Sequence, residues 1–226
     1  MQGRSLHIGL DFASSRRWGR LAPPLPSPAG DAKAFAGVAA ARKFAATTLV
    51  NEQATLGAVR GALADAAREL RDGDSFVLTF SGHGLAATTR TGFQQSWCLF
   101  DDALARFERN GLDAALTRFA SGVRILIVAN CCFASPPRDA IVPRRFVHRN
   151  LVRIGSGTSF AIASTSRQQL SPFVRRFIDV LAADDHHGFH GFFRELTFRP
   201  IAPMKPKIEI APRCSEKFLR AGPFRL

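Results

Sequence analysis

Short, continuous runs of apolar residues recur along the chain, and segments with helical spacing separate them. Such runs are typical of strands buried on both faces, because a half-exposed strand alternates apolar and polar residues. The predicted strands are SLHIGL (5–10), KFAATTLV (43–50), DSFVLTF (74–80), WCLF (97–100), RILIVA (124–129), TSFAIAST (158–165) and an edge-like KIEIA (207–211). Strands that alternate with helices predict an α/β fold whose mainly parallel sheet is covered on both faces.

The helical segments lie between these runs. Apolar residues at 56, 59, 63 and 67 recur at the spacing of one helical face. The predicted helices cover 30–43, 55–70, 102–119 (broken near Asn110-Gly111), 172–182 and 190–196. Four prolines in 21–30 predict an irregular loop after the first strand.

The length of 226 residues fits one domain covering 1–226. No apolar run approaches the roughly 20 residues that a membrane-spanning helix needs, so we expect no membrane partner. The N-terminus reads as a first strand and not as an export signal, which predicts a cytoplasmic protein. The four cysteines lack the spacing of a disulfide framework or a zinc site: Cys98, Cys131, Cys132 and Cys214.

The formal net charge is +13. Either an acidic partner or the amino-acid composition alone could account for it. A basic surface can bind nucleic acid or acidic proteins. Arginine greatly outnumbers lysine here, however, and it is spread over loops and helix faces without an RNA-binding signature. We therefore do not expect a nucleic-acid partner and attribute much of the charge to an Arg-rich composition.

Two predicted strand ends carry reactive side chains. His83 follows SFVLTF, and the adjacent Cys131 and Cys132 follow RILIVA. Ligand and active sites of such sheets lie at the carboxyl ends of the strands, and a cysteine nucleophile needs a base within hydrogen-bonding reach. Each residue taken singly is equally at home in a core, but together they predict a Cys/His site. The residues alone leave the choice between the two cysteines open.

Several motifs resemble those of bacterial caspase-like peptidases on the metacaspase (orthocaspase) side of the caspase superfamily. FVLTFSGHG (76–84) is similar to the histidine motif of that family, and RILIVANCCFAS (124–135) to its cysteine motif. His83 precedes Cys132 by 49 residues, close to the roughly 50 that separate the two in caspases. Four other segments resemble the family more weakly: SLHIGLDF, GDAKAF, SWCLFDD and KFLRAGPFRL. The resemblance therefore covers essentially the whole chain.

The resemblance implies a three-layer α/β/α sandwich with a central sheet of about six strands. It also implies a cysteine-type endopeptidase that hydrolyses protein or peptide substrates without a metal or organic cofactor. Aligned with the cysteine motif, Asn130 takes the place of an aspartate, Cys131 that of a small residue, and Cys132 that of the nucleophile. His83 becomes the general acid and base, and the backbone N–H groups of Gly84 and Cys132 become the oxyanion donors.

The substrate pocket departs from the family pattern. Asp31 and Ser81 match pocket positions, but Asn130 stands where metacaspase-type enzymes carry a carboxylate that accepts Arg or Lys. Arg167, and an arginine at 16 or 17, would instead suit an acidic substrate side chain. Basic and acidic substrates both remain open at this stage.

Other departures bear on activity and regulation. The acidic stretch linked to calcium in the family is replaced by LAATTRTGFQQ (85–95), which contains no carboxylate, so calcium activation is not expected. The Pro- and Arg-rich segment 135–153 is the expected place of any self-processing. The changed cysteine loop also keeps an alternative open, a pseudoenzyme that uses the caspase fold as an interaction module.

Overall fold

The structure is a computed structural model. It describes residues 1–12, 23–89, 92–101, 106–132, 134, 148–156, 170–184, 187–198 and 205–226, with the backbone alone at 87–89, 92–94 and 106. The strands are β1 (Gly3–Gly9), β2 (Ala45–Val50), β3 (Ser75–Ser81), β4 (Gly84–Thr89), β5 (Gly92–Cys98), β6 (Arg106–Glu108), β7 (Arg124–Asn130), β8 (Leu151–Gly155) and β9 (Lys207–Ile210). The helices are α1 (Pro28–Ala41), α2 (Leu56–Glu69), α3 (Arg109–Leu116), α4 (Pro172–Ala183), α5 (Gly188–Phe198) and α6 (Glu216–Ala221), and Asn51–Gln53 form a short 3₁₀ turn.

A six-stranded sheet with the order β2-β1-β3-β7-β8-β9 forms the middle layer. All neighbouring strands pair in parallel except β9, which is antiparallel at the edge. Every residue of the central strands β3 and β7 is buried, which agrees with their continuous apolar sequences. The prediction of a mainly parallel sheet of about six strands is confirmed.

Two hydrophobic clusters cover the two faces of this sheet. One contains side chains from α2 and α3, among them Leu63 and Leu116. The other is rich in phenylalanine and joins α1, α4, α5 and α6, with the rings of Phe177 and Phe192 4.7 Å apart. The sheet between two helical layers confirms the three-layer sandwich. No helix within the described ranges is both long and apolar enough to cross a membrane.

The region between β3 and α3 differs from the prediction. Only Trp97 and Cys98 of WCLF lie in a strand, at the end of β5, which is the middle strand of a small antiparallel sheet β4-β5-β6 that the sequence did not reveal. The predicted helix over 102–119 is wrong at 106–108, which form β6, and the predicted break near Asn110-Gly111 is wrong because both residues lie inside α3. Phe107 of β6 packs its ring 6.1 Å from that of Trp97 on β5, and this tertiary contact outweighs the local helical pattern.

The remaining element predictions are mostly confirmed. The other described strands and helices match within a few residues, although β8 and α6 were not predicted. The predicted strand 158–165 lies outside the described residues. Asp101 contacts a helix distant in sequence: its Oδ2 accepts a hydrogen bond from the Leu56 N–H (2.8 Å) at the start of α2. No local sequence pattern reveals this tertiary contact.

His7 is a fully buried polar residue in the middle of β1. Its Nδ1 lies 2.9 Å from Oγ1 of Thr79 and its Nε2 lies 2.9 Å from Oγ of Ser5, while its ring stacks near Phe35. Burial lowers the pKa of His7 to about 3, because the cationic form loses its hydration in the core. The ring is therefore neutral in the folded protein at any mildly acidic pH.

His7 should make the fold sensitive to acid. In the unfolded chain this residue is protonated below pH 6.5, whereas in the folded chain it is protonated only near pH 3. The free energy of unfolding therefore falls as pH falls through this window. The loss is about 1.4 kcal/mol per pH unit, or about 3 kcal/mol at pH 4.5. Urea unfolding at several pH values should show that the free energy of unfolding falls less steeply with falling pH in His7→Asn than in His190→Asn. His190 is an exposed site and serves as the control. Equal slopes in the two variants would contradict this account.

Candidate active site

The ends of β3 and β7 bring the two candidate segments together. These strands pair in parallel with Ser81 opposite Asn130. Beyond the last pair, the N–H of Gly82 still donates to the Asn130 carbonyl (3.3 Å). The residues that follow, His83 on one side and the two cysteines on the other, therefore leave the sheet side by side.

The orientation of His83 is fixed at two points. Its Nε2 lies 2.7 Å from the carbonyl oxygen of Pro23, and its own carbonyl accepts a hydrogen bond from the N–H of Cys98 (3.0 Å). A carbonyl can only accept, so Nε2 carries a proton and Nδ1 is the nitrogen left to exchange one. Sequence reasoning missed Pro23; the only signal was its place in the proline-rich loop after the first strand.

Gly84 lies directly against the cysteine pair. A Cβ atom at this position would lie 2.0 Å from the carbonyl oxygen of Cys132 and 3.2 Å from Sγ of Cys131. Real Cβ atoms do not approach backbone oxygen so closely, so the contact requires glycine here. The loop that carries His83 and the loop that carries Cys132 are thus in van der Waals contact.

The two cysteines occupy different environments. Cys131 is buried, whereas Cys132 is half-buried and keeps some exposed surface. Burial raises the pKa of the Cys131 thiol well above its usual value, and the nearby sulfurs of Cys132 and Cys98 raise it further. Cys131 therefore stays a protonated thiol, and of the two residues Cys132 is the one that keeps exposed surface.

Three of the predicted pocket residues form one buried network. The Asp31 carboxylate accepts hydrogen bonds from Ser81 Oγ (2.6 Å), Asn130 Nδ2 (3.1 Å) and the N–H of Ser171 (2.8 Å). Asn130 Nδ2 also lies 2.8 Å from Ser171 Oγ, and Ser171 caps α4 by accepting from the N–H of Val174. Burial raises the pKa of Asp31, and the hydrogen bonds partly oppose that shift.

This network differs from an open substrate pocket. Asp31 has no exposed surface, and its oxygens are already engaged by donors from the chain. The predicted pocket residue Arg167, the arginines at 16 and 17, and most of the segment 135–153 lie outside the described residues. Across the described ranges, no three His, Cys, Asp or Glu side chains meet in a group that could hold a metal ion.

A small cavity of about 50 Å³ lies beside the cysteine pair, between β7, β8 and the small antiparallel sheet. Its lining includes Cys131, Cys132, Trp97 and the two arginines Arg109 and Arg153. The cavity therefore borders the candidate nucleophile on the face of the sheet that α2 and α3 cover.

The fold and the adjoining strand ends define an α/β protein with the fold of a cysteine peptidase. The family model of the caspase domain (peptidase C14) matches residues 4–198, and the chain belongs to this family. The chain is also similar to the crystal structure of protein GSU0716 from Geobacter sulfurreducens, with a TM-score of 0.81 at 23% identity over 100% of this chain and 99% of that one. That likeness supports the fold. The comparison with curated proteins finds no match.

The contact at Gly84 can be tested by adding one methyl group. Gly84→Ala must push the Cys132 backbone away, which should cost about 1–3 kcal/mol of the free energy of unfolding, as overpacking does. The matched control is Gly61→Ala on the exposed face of α2, where a Cβ meets nothing within 4 Å. That change should instead stabilise the protein by about 0.5–1 kcal/mol. Urea unfolding that places Gly84→Ala at or above wild type would refute the contact.

Proposed function

We propose that the protein is a cysteine-type endopeptidase in which Cys132 is the nucleophile and His83 the general acid and base. The observation that carries the proposal is the meeting of the two strand ends. Gly84 contacts the Cys132 carbonyl, and the Pro23 carbonyl fixes Nε2 of the neighbouring His83. Membership in the caspase-domain family supports a peptidase-type hydrolase in general.

In this mechanism the Cys132 thiol first transfers its proton to His83, which gives a thiolate and an imidazolium. The thiolate attacks the carbonyl carbon of a peptide bond and forms a tetrahedral intermediate. His83 then protonates the leaving amine from Nδ1, and a thioester to Cys132 remains. The neutral imidazole then deprotonates a water molecule, whose oxygen bonds to the thioester carbon; the C–S bond breaks, and the carboxylic acid product and the Cys132 sulfur are released. The Pro23 carbonyl stabilises the imidazolium because it accepts a hydrogen bond from the Nε2–H throughout.

The oxyanion that develops on the substrate needs backbone donors. The hydrogen bond from Cys98 N–H to the His83 carbonyl makes the next antiparallel pair, Gly84 and Trp97, a non-hydrogen-bonded one. The N–H of Gly84 consequently points away from β5 and is not used in that ladder. Together with the N–H of Cys132 it supplies the two donors that the mechanism requires.

The substrate is a protein or peptide. The residue on the N-terminal side of the cleaved bond would meet a pocket that contains Asp31 and that differs from the family pattern at Asn130. Asn130 is neutral, and the buried Asp31 shares its charge among three hydrogen bonds. A cationic substrate side chain can pair with Asp31 only if this network opens. Peptide substrates that differ only in Arg, Asp or Gln before the cut measure the resulting preference directly.

Thiol labelling separates the enzyme from a caspase-fold protein that acts only through interactions. At pH 6.5 about 1% of an ordinary cysteine is thiolate, so pairing with His83 can speed alkylation of Cys132 by up to about 10²-fold. We expect His83→Ala to abolish this acceleration and to lower peptide hydrolysis by about 10³-fold or more.

Two controls belong to this experiment. Cys214, whose pKa burial raises to about 11, is an internal reference thiol that should react slowly in every variant. His190→Ala removes an exposed histidine elsewhere and should leave both readouts unchanged. If Cys132 reacts no faster than a small free thiol, and His83→Ala has no effect, the peptidase proposal fails and the interaction module is favoured.

A further inference from the structure

Cys131 and Cys132 line the same cavity although they are neighbours in sequence. Adjacent residues of a strand point to opposite faces of a sheet, but β7 ends at Asn130 and the two cysteines lie in the bend that follows. Both border the same cavity of about 50 Å³. Their sulfur atoms are thus in a part of the chain where the alternation of a strand no longer separates them.

The two thiols also differ in the way that a redox pair requires. Cys132 keeps exposed surface through which an oxidant can approach, and its neighbour Cys131 is buried. The proposed peptide hydrolysis uses Cys132 and does not use Cys131. A smaller, unreactive residue could occupy the buried position, so hydrolysis does not explain the second cysteine. A second thiol beside a reactive one is the arrangement of a cysteine that resolves a sulfenic acid.

The cavity wall favours an oxidised sulfur. Arg109 and Arg153 line it, and their guanidinium groups form ion pairs with Glu209 (2.9 Å) and Asp113 respectively. Arg153 has one buried nitrogen, Nη1, with no hydrogen-bond partner among the described residues. Arg153, which lines the cavity together with the two cysteines, therefore retains an unused N–H donor.

We propose that Cys131 is the resolving thiol for reversible oxidation of Cys132 by a hydroperoxide, and that the product is a disulfide between these adjacent residues. The proposal shares with the proposed function only the reactive thiolate of Cys132. It does not depend on peptide hydrolysis. Its consequence is a reversible block of the nucleophile.

The chemistry proceeds in two steps. The Cys132 thiolate attacks one oxygen of the hydroperoxide, so an S–O bond forms, the O–O bond breaks, and the other oxygen leaves as an alkoxide or hydroxide that takes up a proton. The sulfur loses two electrons and the peroxide gains them. The Cys131 sulfur then attacks the Cys132 sulfur, the S–S bond forms, and hydroxide leaves and takes the thiol proton to become water.

The disulfide should be easy to reduce again. Consecutive Cα atoms are about 3.8 Å apart across a trans peptide, which is shorter than the usual separation of about 4.4–6.8 Å in disulfides. The eight-membered ring is therefore strained, and strained disulfides have the more oxidising potentials of labile, regulatory bonds. A dithiol such as dithiothreitol should restore Cys132 fully.

The resolving step should depend on pH. The raised pKa of Cys131 leaves little of it as thiolate near neutrality. Oxidation of Cys132 removes one charge that opposes this thiolate, but the effect of burial remains. A dimedone-type reagent should consequently trap more sulfenic acid at pH 6 than at pH 9, where the disulfide forms faster.

The experiment treats the whole chain with hydrogen peroxide and maps the product by mass spectrometry. Both cysteines fall in one tryptic peptide, 125–138, so the expected disulfide appears as a loss of two hydrogens within that peptide. Dithiothreitol should then return Cys132 to full alkylation. In Cys131→Ala, sulfenic acid should be trapped at every pH, and excess peroxide should cause an irreversible loss of Cys132 at least about tenfold greater than in wild type. Cys98→Ala is the matched control and should behave as wild type.

Three results would overturn the proposal. A cross-link to the peptide that carries Cys98 would assign the resolving role to that residue. Equal irreversible loss of Cys132 in wild type and Cys131→Ala would deny Cys131 any role. A Cys132 that hydrogen peroxide does not oxidise would remove the first step. Peptide hydrolysis by the untreated protein is measured separately, so a failure here is distinct from a failure of the proposed function.

Discussion

The buried carboxylate of Asp31 is the interaction on which the rest of the site depends. It accepts hydrogen bonds from Ser81 at the end of β3, from Asn130 at the end of β7, and from Ser171 at the start of α4. Taking a carboxylate out of water is costly unless donors replace the lost hydration, so these three elements are held to one point. Ser81 and Asn130 are followed within two residues by the candidate catalytic segments. The same network that stabilises this edge of the sheet therefore positions them.

The arrangement of the candidate site depends on how the segments after β3 and β7 leave the sheet. The Pro23 carbonyl orients His83, and the absence of a side chain at Gly84 allows the Cys132 carbonyl to approach. The twin cysteines become unequal because one is buried in the core and the other keeps exposed surface. A buried polar network, a glycine contact and a difference in burial together place one partly exposed and one buried cysteine beside His83.

The sequence allowed the prediction of the central sheet because β1, β3 and β7 are buried on both faces and read as continuous apolar runs. The antiparallel sheet was missed because its strands pair through tertiary contacts, such as Phe107 with Trp97, and the local pattern around β6 is helical. At the site, residue types and spacing predicted a pairing of His83 with the two cysteines, and the structure places the two segments side by side. Single-sequence patterns carry no information on long-range partners, so the Pro23 contact and the closed state of the Asp31 network could not be predicted.

A structure of the protein covalently bound to a peptidyl chloromethyl ketone would test the central claim most directly. The account predicts a bond from the inhibitor to Sγ of Cys132, with the inhibitor oxygen about 2.7–3.1 Å from the N–H of Gly84. Nδ1 of His83 should lie within hydrogen-bonding reach of the same sulfur, with Nε2 still on the Pro23 carbonyl. An adduct on Cys131, or an adduct on Cys132 whose oxygen has no contact with Gly84, would contradict the account.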